Sequence, residues 1–316
     1  CTLFGSMLER SSVTWTIMLS AYTHCGHKED AIQLFQVMKE KNLYLDVVTF
    51  IQILDACTGP EILPEGQDVH IAITHMGFDL DVFVMNALIN MYAKCKRFDD
   101  STWLFENMHY RDIVSWNTII SAYAQQGKVV EILECFNQMT LERIIPDKFT
   151  FMSMLVACAS PANFSEGKLV HNYLIFSNLE SSQAMVSTLI NMYGKCGRLD
   201  EAQNLFDEML ERTEASWNSM IQACADQGRN FEALTLFEQM RVEGNVVDGY
   251  TCVCILDACT CMNMLTHGKQ LHTCINSAGF ITDTIISTAL ISMYGRCCSL
   301  VDASAVFDMM CENDTV

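Results

Sequence analysis

Eight histidines, sixteen cysteines and 38 carboxylates are enough to build a catalytic centre, so the first question is how they are spaced. Zinc-dependent deamination of a base needs H-x-E together with P-C-x-x-C, which between them supply the ligands and a proton-moving Glu. His27-Lys28-Glu29 matches the first half, at what reads as a turn between helices, but no proline here is followed by cysteine. The match is therefore a coincidence. Cys252, Cys254, Cys259 and Cys261 offer C-x-C twice. Residues two apart on a helix do not face each other, which disfavours a tetrahedral metal site. One period earlier the same positions hold Phe151, Ser153, Cys158 and Ser160, so the cluster is not a repeated feature. His70, His171 and His272 lie in apolar stretches without a carboxylate or cysteine at ligand spacing, and read as packing residues. No phosphate loop or nucleophile motif occurs. The expectation is a stretch with no catalytic residues, no metal and no cofactor.

What recurs is a register. Trp15, Trp116 and Trp217 are 101 residues apart, as are Asp46, Asp147 and Asp248, and His70, His171 and His272. The same offset links Gly66, Gly167 and Gly268, then Tyr92, Tyr193 and Tyr294, then Cys95, Cys196 and Cys297, and it links Phe4, Phe105, Phe206 and Phe307. Each period divides into units of 35, 35 and 31 residues. The triplets cover 12–112, 113–213 and 214–314, with 1–11 the end of a preceding unit and 315–316 the start of another. The missing initiator Met and the abrupt last residues are read as cut ends.

Each unit carries two helical patterns. From Trp116 to Tyr123 apolar residues fall at helical spacing, Gly127 interrupts, and Val130, Ile132, Leu133, Phe136 and Met139 resume at intervals of three and four. A helix pair of this kind leaves an apolar face that only a neighbouring pair can cover. The ladders Phe35, Phe136, Phe237 and Met38, Met139, Met240 are expected in the core. The chain is 50% hydrophobic and 18% charged, with four prolines, and no apolar run approaches a membrane span. Its cysteines, scattered through helical patterns, read as small buried residues in a reducing compartment rather than a disulfide framework. The net charge of −19 opposes non-specific nucleic-acid binding, which relies on cations neutralising phosphates.

The 35–35–31 alternation, with Ser115-Trp116-Asn117-Thr118-Ile119-Ile120-Ser121-Ala122-Tyr123, Leu189-Ile190-Asn191-Met192-Tyr193-Gly194-Lys195-Cys196-Gly197 and Phe206-Asp207-Glu208-Met209, resembles the PLS-class pentatricopeptide repeat proteins of plants. Tetratricopeptide repeats, built alike, keep a uniform period of 34. The resemblance implies an all-α fold, a right-handed α-solenoid superhelix of helix-turn-helix repeats. It also implies that single-stranded RNA lies along the array at about one nucleotide per repeat.

In that family the fifth and last residues of a unit choose the base, and the second packs against it. Carried onto this chain, Thr16 with Asp46 and Thr288 with Asp314 resemble guanine readers. Asn86 with Asp112, Asn117 with Asp147, and Asn218 with Asp248 resemble uracil readers that tolerate cytosine. Ser187 with Thr213 departs from the usual pairs and leaves its base open. The second-type units carry Ile51, Met152 and Val253 at the fifth position, which make no polar base contact. The implied register is 5′-G-x-U-U-x-x-U-x-G-3′. Stacking would fall to Val13, Val48, Phe83, Val114, Phe149, Tyr250 and Ile285, and be weak at Ala184 and Ala215. Lys94, Lys195 and Arg296 match a family position near the RNA backbone.

Bland readings stand beside these. Every complete unit ends in Asp, Ser or Thr, the preferred N-caps of a following helix, and capping alone would account for Asp81 and Asp283. The three cations could simply complement the negative ends of their helices. The acidic charge also fits a scaffold whose groove holds a basic protein partner. The family resemblance implies a chloroplast or mitochondrial protein that directs C-to-U editing of a transcript, with possible editing-complex partners. It implies no membrane insertion and no small-molecule substrate.

Overall fold

A computed structural model describes residues 11–179, 182–260, 264–277, 279–280 and 283–313. Asp314, Cys261 and the flanking segments 1–10 and 315–316 lie outside the described residues. Among the described residues all regular structure is helical. The first period holds Ser12–His24 (α1), Lys28–Glu40 (α2), Val47–Ala56 (α3), Leu63–Met76 (α4), Val82–Lys94 (α5) and Phe98–Glu106 (α6). The second holds Ile113–Gln125 (α7), Val129–Leu141 (α8), Lys148–Ala157 (α9), Phe164–Phe176 (α10), Gln183–Lys195 (α11) and Leu199–Glu208 (α12). The third holds Glu214–Asp226 (α13), Asn230–Val242 (α14), Gly249–Ala258 (α15), Leu265–Ser277 (α16), Thr284–Arg296 (α17) and Leu300–Asn313 (α18). None of these helices is long and apolar enough to cross a membrane.

The helices form two compact units, Cys1–Ser153 and Met154–Val316. In the first, α1 packs on its hairpin partner α2 and on α3, then α3 on α5, and α5 on both α6 and α7. In the second, α11 packs on α12 and α13, α13 on α14 and α15, α15 on α17, and α17 on α18. First helices thus stack on first helices within each unit, the α-solenoid arrangement. The expected ladders lie inside: Met38, Met139 and Met240 are fully buried, as are Trp116 and Trp217.

Helix starts and stops follow local chemistry. The residues that end a unit cap the helix that opens the next one. Ser11, Asp46, Asp81, Asp112, Ser182, Thr213, Asp248 and Asp283 each accept, through the side chain, from a backbone N–H of the first turn. Asp147 does the same for Phe149 and Thr150. At the other ends the chain turns through left-handed backbone at positions that also keep the 101-residue register. Gly26, Gly127 and Gly228 do so, but so do Lys96, Gly197 and Cys298, and Asn42, Arg143 and Gly244. Stacked neighbours enforce the turn even where a side chain makes it costly.

Three kinds of junction alternate. Between third- and first-type units, Phe105 meets Trp116 and Phe206 meets Trp217 edge to face, both at 4.8 Å, and Arg111 and Arg212 lie over the paired rings. Between second- and third-type units, His70, His171 and His272 hydrogen-bond Tyr92, Tyr193 and Tyr294 at 2.9, 2.7 and 2.8 Å. There too a Cβ built on Gly66, Gly167 or Gly268 would fall 2.6–2.8 Å from the sulfur of Met91, Met192 or Met293, so glycine is what lets those helices close. The thiols of Cys95 and Cys196 donate to the carbonyls of Gly59 and Ser160, both at 3.1 Å. The third junction, between first- and second-type units, carries polar seams, which also run through the junctions between third- and first-type units.

Candidate functional site

The second residue of a unit lies one helical turn before the fifth, on the same face. All seven proposed stacking residues are exposed: Val13, Val48, Phe83, Val114, Phe149, Tyr250 and Ile285 leave between 51% and 70% of their surface uncovered. In both compact units these solvent-facing apolar side chains contrast with the fully buried ladders of the core. Ala184 and Ala215 are exposed as well.

The fifth and last residues of a unit meet in a polar seam, one turn along the helix from the second. Asn86 Nδ2 donates to Asp112 Oδ1 at 3.3 Å, and Asn117 Nδ2 donates to Asp147 Oδ1 at 3.1 Å. Asn218 likewise hydrogen-bonds Asp248, and the hydroxyls of Ser187 and Thr213 lie 3.5 Å apart. Thr16 departs from the expected pairing. Its hydroxyl meets that of Thr49 at 3.0 Å, and Thr49 in turn donates to Asp46 at 2.6 Å, so the pair is bridged rather than direct. A threonine side chain is too short to span the gap that an asparagine amide closes. Thr288 is exposed, and its proposed partner Asp314 is beyond the described residues.

Capping and pairing are not alternatives here. The same Oδ1 that caps α7 or α9 also accepts from the asparagine. At Asp46, Asp112, Asp147 and Asp248 the bonds from the helix N–H groups and from the following Thr or Ser hydroxyl all land on Oδ1. Asp46 is held below the ordinary carboxylate range first by the Thr49 hydroxyl. At Asp112 and Asp248 burial pushes the carboxyl up, but hydrogen bonds from Ser115 and Asn86, or from Thr251 and Asn218, outweigh it and leave the net shift downward. Asp46, Asp112 and Asp248 are therefore anionic throughout the neutral range.

The amides themselves are not open on the surface. Asn86 and Asn218 are only 7% and 5% exposed, and Ser187 6%, so each presents at most an edge rather than a free side chain. A participant that spacing alone leaves obscure is the third residue of the following unit. Thr49, Ser115, Thr150, Ser216 and Thr251 are all fully buried at the seam and hydrogen-bonded to its members. The signal for them in the sequence is their alternation with Val84, Met185 and Ile286, which follow the units with an apolar fifth residue.

The cationic positions are less uniform. Lys94 lies 3.8 Å from Asp55, an exposed ion pair of little energetic weight. Arg296 acts on Asp257, whose pKa is raised by burial and partly drawn back by that guanidinium. At Lys195 the residue equivalent to Asp55 is Val156. Lys94 and Arg296 thus carry acidic companions. Among the described residues no group of three or more His, Cys, Asp or Glu could hold a metal ion. Cys252, Cys254 and Cys259 are buried in or beside α15, with burial pushing the first two thiols up to about 11 and about 12.

Family models described as "PPR repeat family" match residues 10–59, 111–160 and 212–261, and models described as "PPR repeat" match 83–113, 184–213 and 285–315. The chain belongs to the pentatricopeptide repeat family. Pentatricopeptide repeat-containing proteins of Arabidopsis thaliana are similar over nearly its whole length. A chloroplastic one is 32% identical over 98% of this chain and 38% of its own, and a mitochondrial one 31% identical over 98% and 56%. The chloroplastic protein CRR2 is 34% identical over 85% of this chain and 42% of its own length. The chain therefore spans about two fifths to just over half the length of these relatives. Among solved structures, the pentatricopeptide repeat protein PPR10 in complex with an 18-nt psaJ RNA element aligns over 99% of this chain and 50% of its own. Its TM-score is 0.63 at 16% identity, a likeness of fold. A further crystal structure of PPR10, from maize, aligns over 95% and 54%, with a TM-score of 0.51 at 14% identity.

Proposed function

We propose that this pentatricopeptide array binds single-stranded RNA of defined sequence in a chloroplast or mitochondrion and marks a transcript for C-to-U editing. The observation that carries the reading is that, within each compact unit, exposed second-position apolar residues share a helix face with seams where an amide or hydroxyl meets a unit-ending Asp or Thr. A base entering between two such side chains would cover apolar surface and meet a polar edge at its floor, which are the two ingredients of modular readout. PPR10, which shares the fold, is solved as a complex with RNA, and the similar Arabidopsis proteins are chloroplastic or mitochondrial by name. Both support the ligand class and the compartment. Editing itself rests on the 35–35–31 period, and the chemistry would come from elsewhere in the protein or from a partner.

The test is affinity for single-stranded RNA containing G-x-U-U-x-x-U-x-G against a scrambled control. Preference for the former supports the reading, and equal affinity for both overturns it. Asn117→Thr should move preference at the fourth nucleotide from U towards G. The competing scaffold reading draws on the net charge of −19 and on the acidic companions of Lys94 and Arg296. It predicts that a basic peptide competes with RNA and binds more tightly.

A further inference from the structure

Three nominally identical Asn/Asp pairs are held in different ways. At Asn117 the buried Thr150 hydroxyl donates to the amide oxygen Oδ1 at 2.6 Å, while Nδ2 donates to Asp147. That hydroxyl has one hydrogen, and the competing approach to Asp147 Oδ1 is longer, at 3.1 Å. At Asn218 the Thr251 hydroxyl lies 2.8 Å from the amide oxygen and 2.7 Å from Asp248 Oδ1, so its hydrogen is shared. At Asn86 the equivalent residue is Ser115, whose hydroxyl turns to Asp112 at 2.9 Å and completes a capping box. The amide oxygen of Asn86 is left buried without any hydrogen-bond partner.

An asparagine amide has two faces that differ only in which end donates, and a half-turn about its last bond exchanges them. An acceptor at one end biases that choice. A hydroxyl donating at the other end strengthens the bias: the reverse orientation loses the amide–carboxylate bond, sets oxygen against oxygen and forces the hydroxyl to turn from donor to acceptor. We infer that Thr150, and in weaker form Thr251, are positioning residues that lock the reading amide. Each leaves one N–H as the group the amide offers a base, whereas Asn86, lacking the lock, discriminates less. Uracil and cytosine share a carbonyl that such an N–H would meet, and an asparagine held in place leaves less room for a purine than the shorter threonine does, so the lock favours pyrimidines as a class. This rests on the RNA-reading function proposed above.

Thr150→Val keeps the branched shape and removes only the hydroxyl. Binding is measured for RNAs of the proposed register with U, C, A or G at the fourth nucleotide, opposite Asn117, and separately at the seventh, opposite Asn218. The expected result is that pyrimidine-over-purine preference at the fourth nucleotide falls about 5-fold, the worth of a typical hydrogen bond. Preference at the seventh should be unchanged. In the unmodified protein preference at the third nucleotide, opposite Asn86, should be weaker than at the fourth. A merely structural role would weaken all RNAs alike and leave the ratios intact. Unaltered preference at the fourth nucleotide, with the seventh still discriminating, overturns the inference alone; no discrimination anywhere in the unmodified protein overturns the RNA reading and the inference with it. Without RNA, the Asn117 amide proton bonded to Asp147 should exchange slowly, and faster in Thr150→Val. Fast exchange of both amide protons in the unmodified protein would also refute the lock.

Discussion

Asp112 and Asp81 are both unit-ending carboxylates that cap a helix, but only Asp112 also holds an amide, so comparing Asp112→Ala with Asp81→Ala separates the two jobs. Asp81 accepts from Phe83 and Val84, and the fifth residue of its unit is the apolar Ile51. Removing it deletes a cap, which costs about 1 kcal/mol. Asp112 accepts from the Ser115 backbone, the Ser115 hydroxyl and Asn86 Nδ2. Its removal deletes a cap and leaves a 7%-exposed amide that already has one orphaned atom with no partner at all. Stranding a buried donor adds roughly 1–3 kcal/mol, so Asp112→Ala should cost about 2–4 kcal/mol. Adding Asn86→Ala to Asp112→Ala should recover part of the excess, since the amide no longer needs a partner. Urea unfolding followed by circular dichroism measures the totals, and hydrogen exchange across α5 and α7 locates them, which matters because stacked repeats need not unfold together. Equal losses for the two single variants, or no recovery in the double variant, would refute the claim that Asp112 anchors Asn86.

Lys96 sits in left-handed backbone where the next period has Gly197, so Lys96→Gly should raise stability by about 1 kcal/mol in a thermal melt. Phe83 is 64% exposed, so Phe83→Ala should leave the melting temperature nearly unchanged yet weaken RNA binding by about 1–3 kcal/mol in a titration. Gly167→Ala would push a Cβ against the Met192 sulfur at 2.7 Å and should cost roughly 1–3 kcal/mol; an unchanged melt would mean that the Met side chain simply moves aside. Acidification should act in two stages. Burial, only partly offset by nearby carboxylates, lowers the pKa of His70 and His272 below 6.5, so their share of stability is present above that value and is lost as pH falls through the lowered one. Asp46, Asp112 and Asp248 lie below 3.8, so their share is lost only in stronger acid. Melting temperature followed against pH reads both stages, and replacing all three aspartates with Asn should flatten the second.

The helix pairs and their register were legible because two apolar periodicities overlap, one of three to four residues and one of 101. Trp116, Phe136 and Met139 had to face inward under either. Turns were less visible. Gly127 announces one, but Lys96, Arg143 and Cys298 take the same left-handed backbone with nothing in their own chemistry to predict it. The pairs Asn86–Asp112 and Asn117–Asp147 could be named from the family pattern, yet their covering by neighbouring helices could not, because burial depends on stacking rather than on side-chain type. Thr150 was hidden for a related reason: as one hydroxyl among many, it becomes distinctive only when it is brought within 2.6 Å of an amide 33 positions earlier.

The alternation of junctions limits how an array of this kind can grow. Duplicating a second-type unit alone would set the Gly66 notch opposite Ala56 instead of a methionine, and the Thr49 hydroxyl against the apolar Ile51. The shortest insertion that restores every match is the full 101-residue triplet, so lengthening the array without penalty would extend its reach in steps of three positions, one of them always bearing an aliphatic or thioether fifth residue.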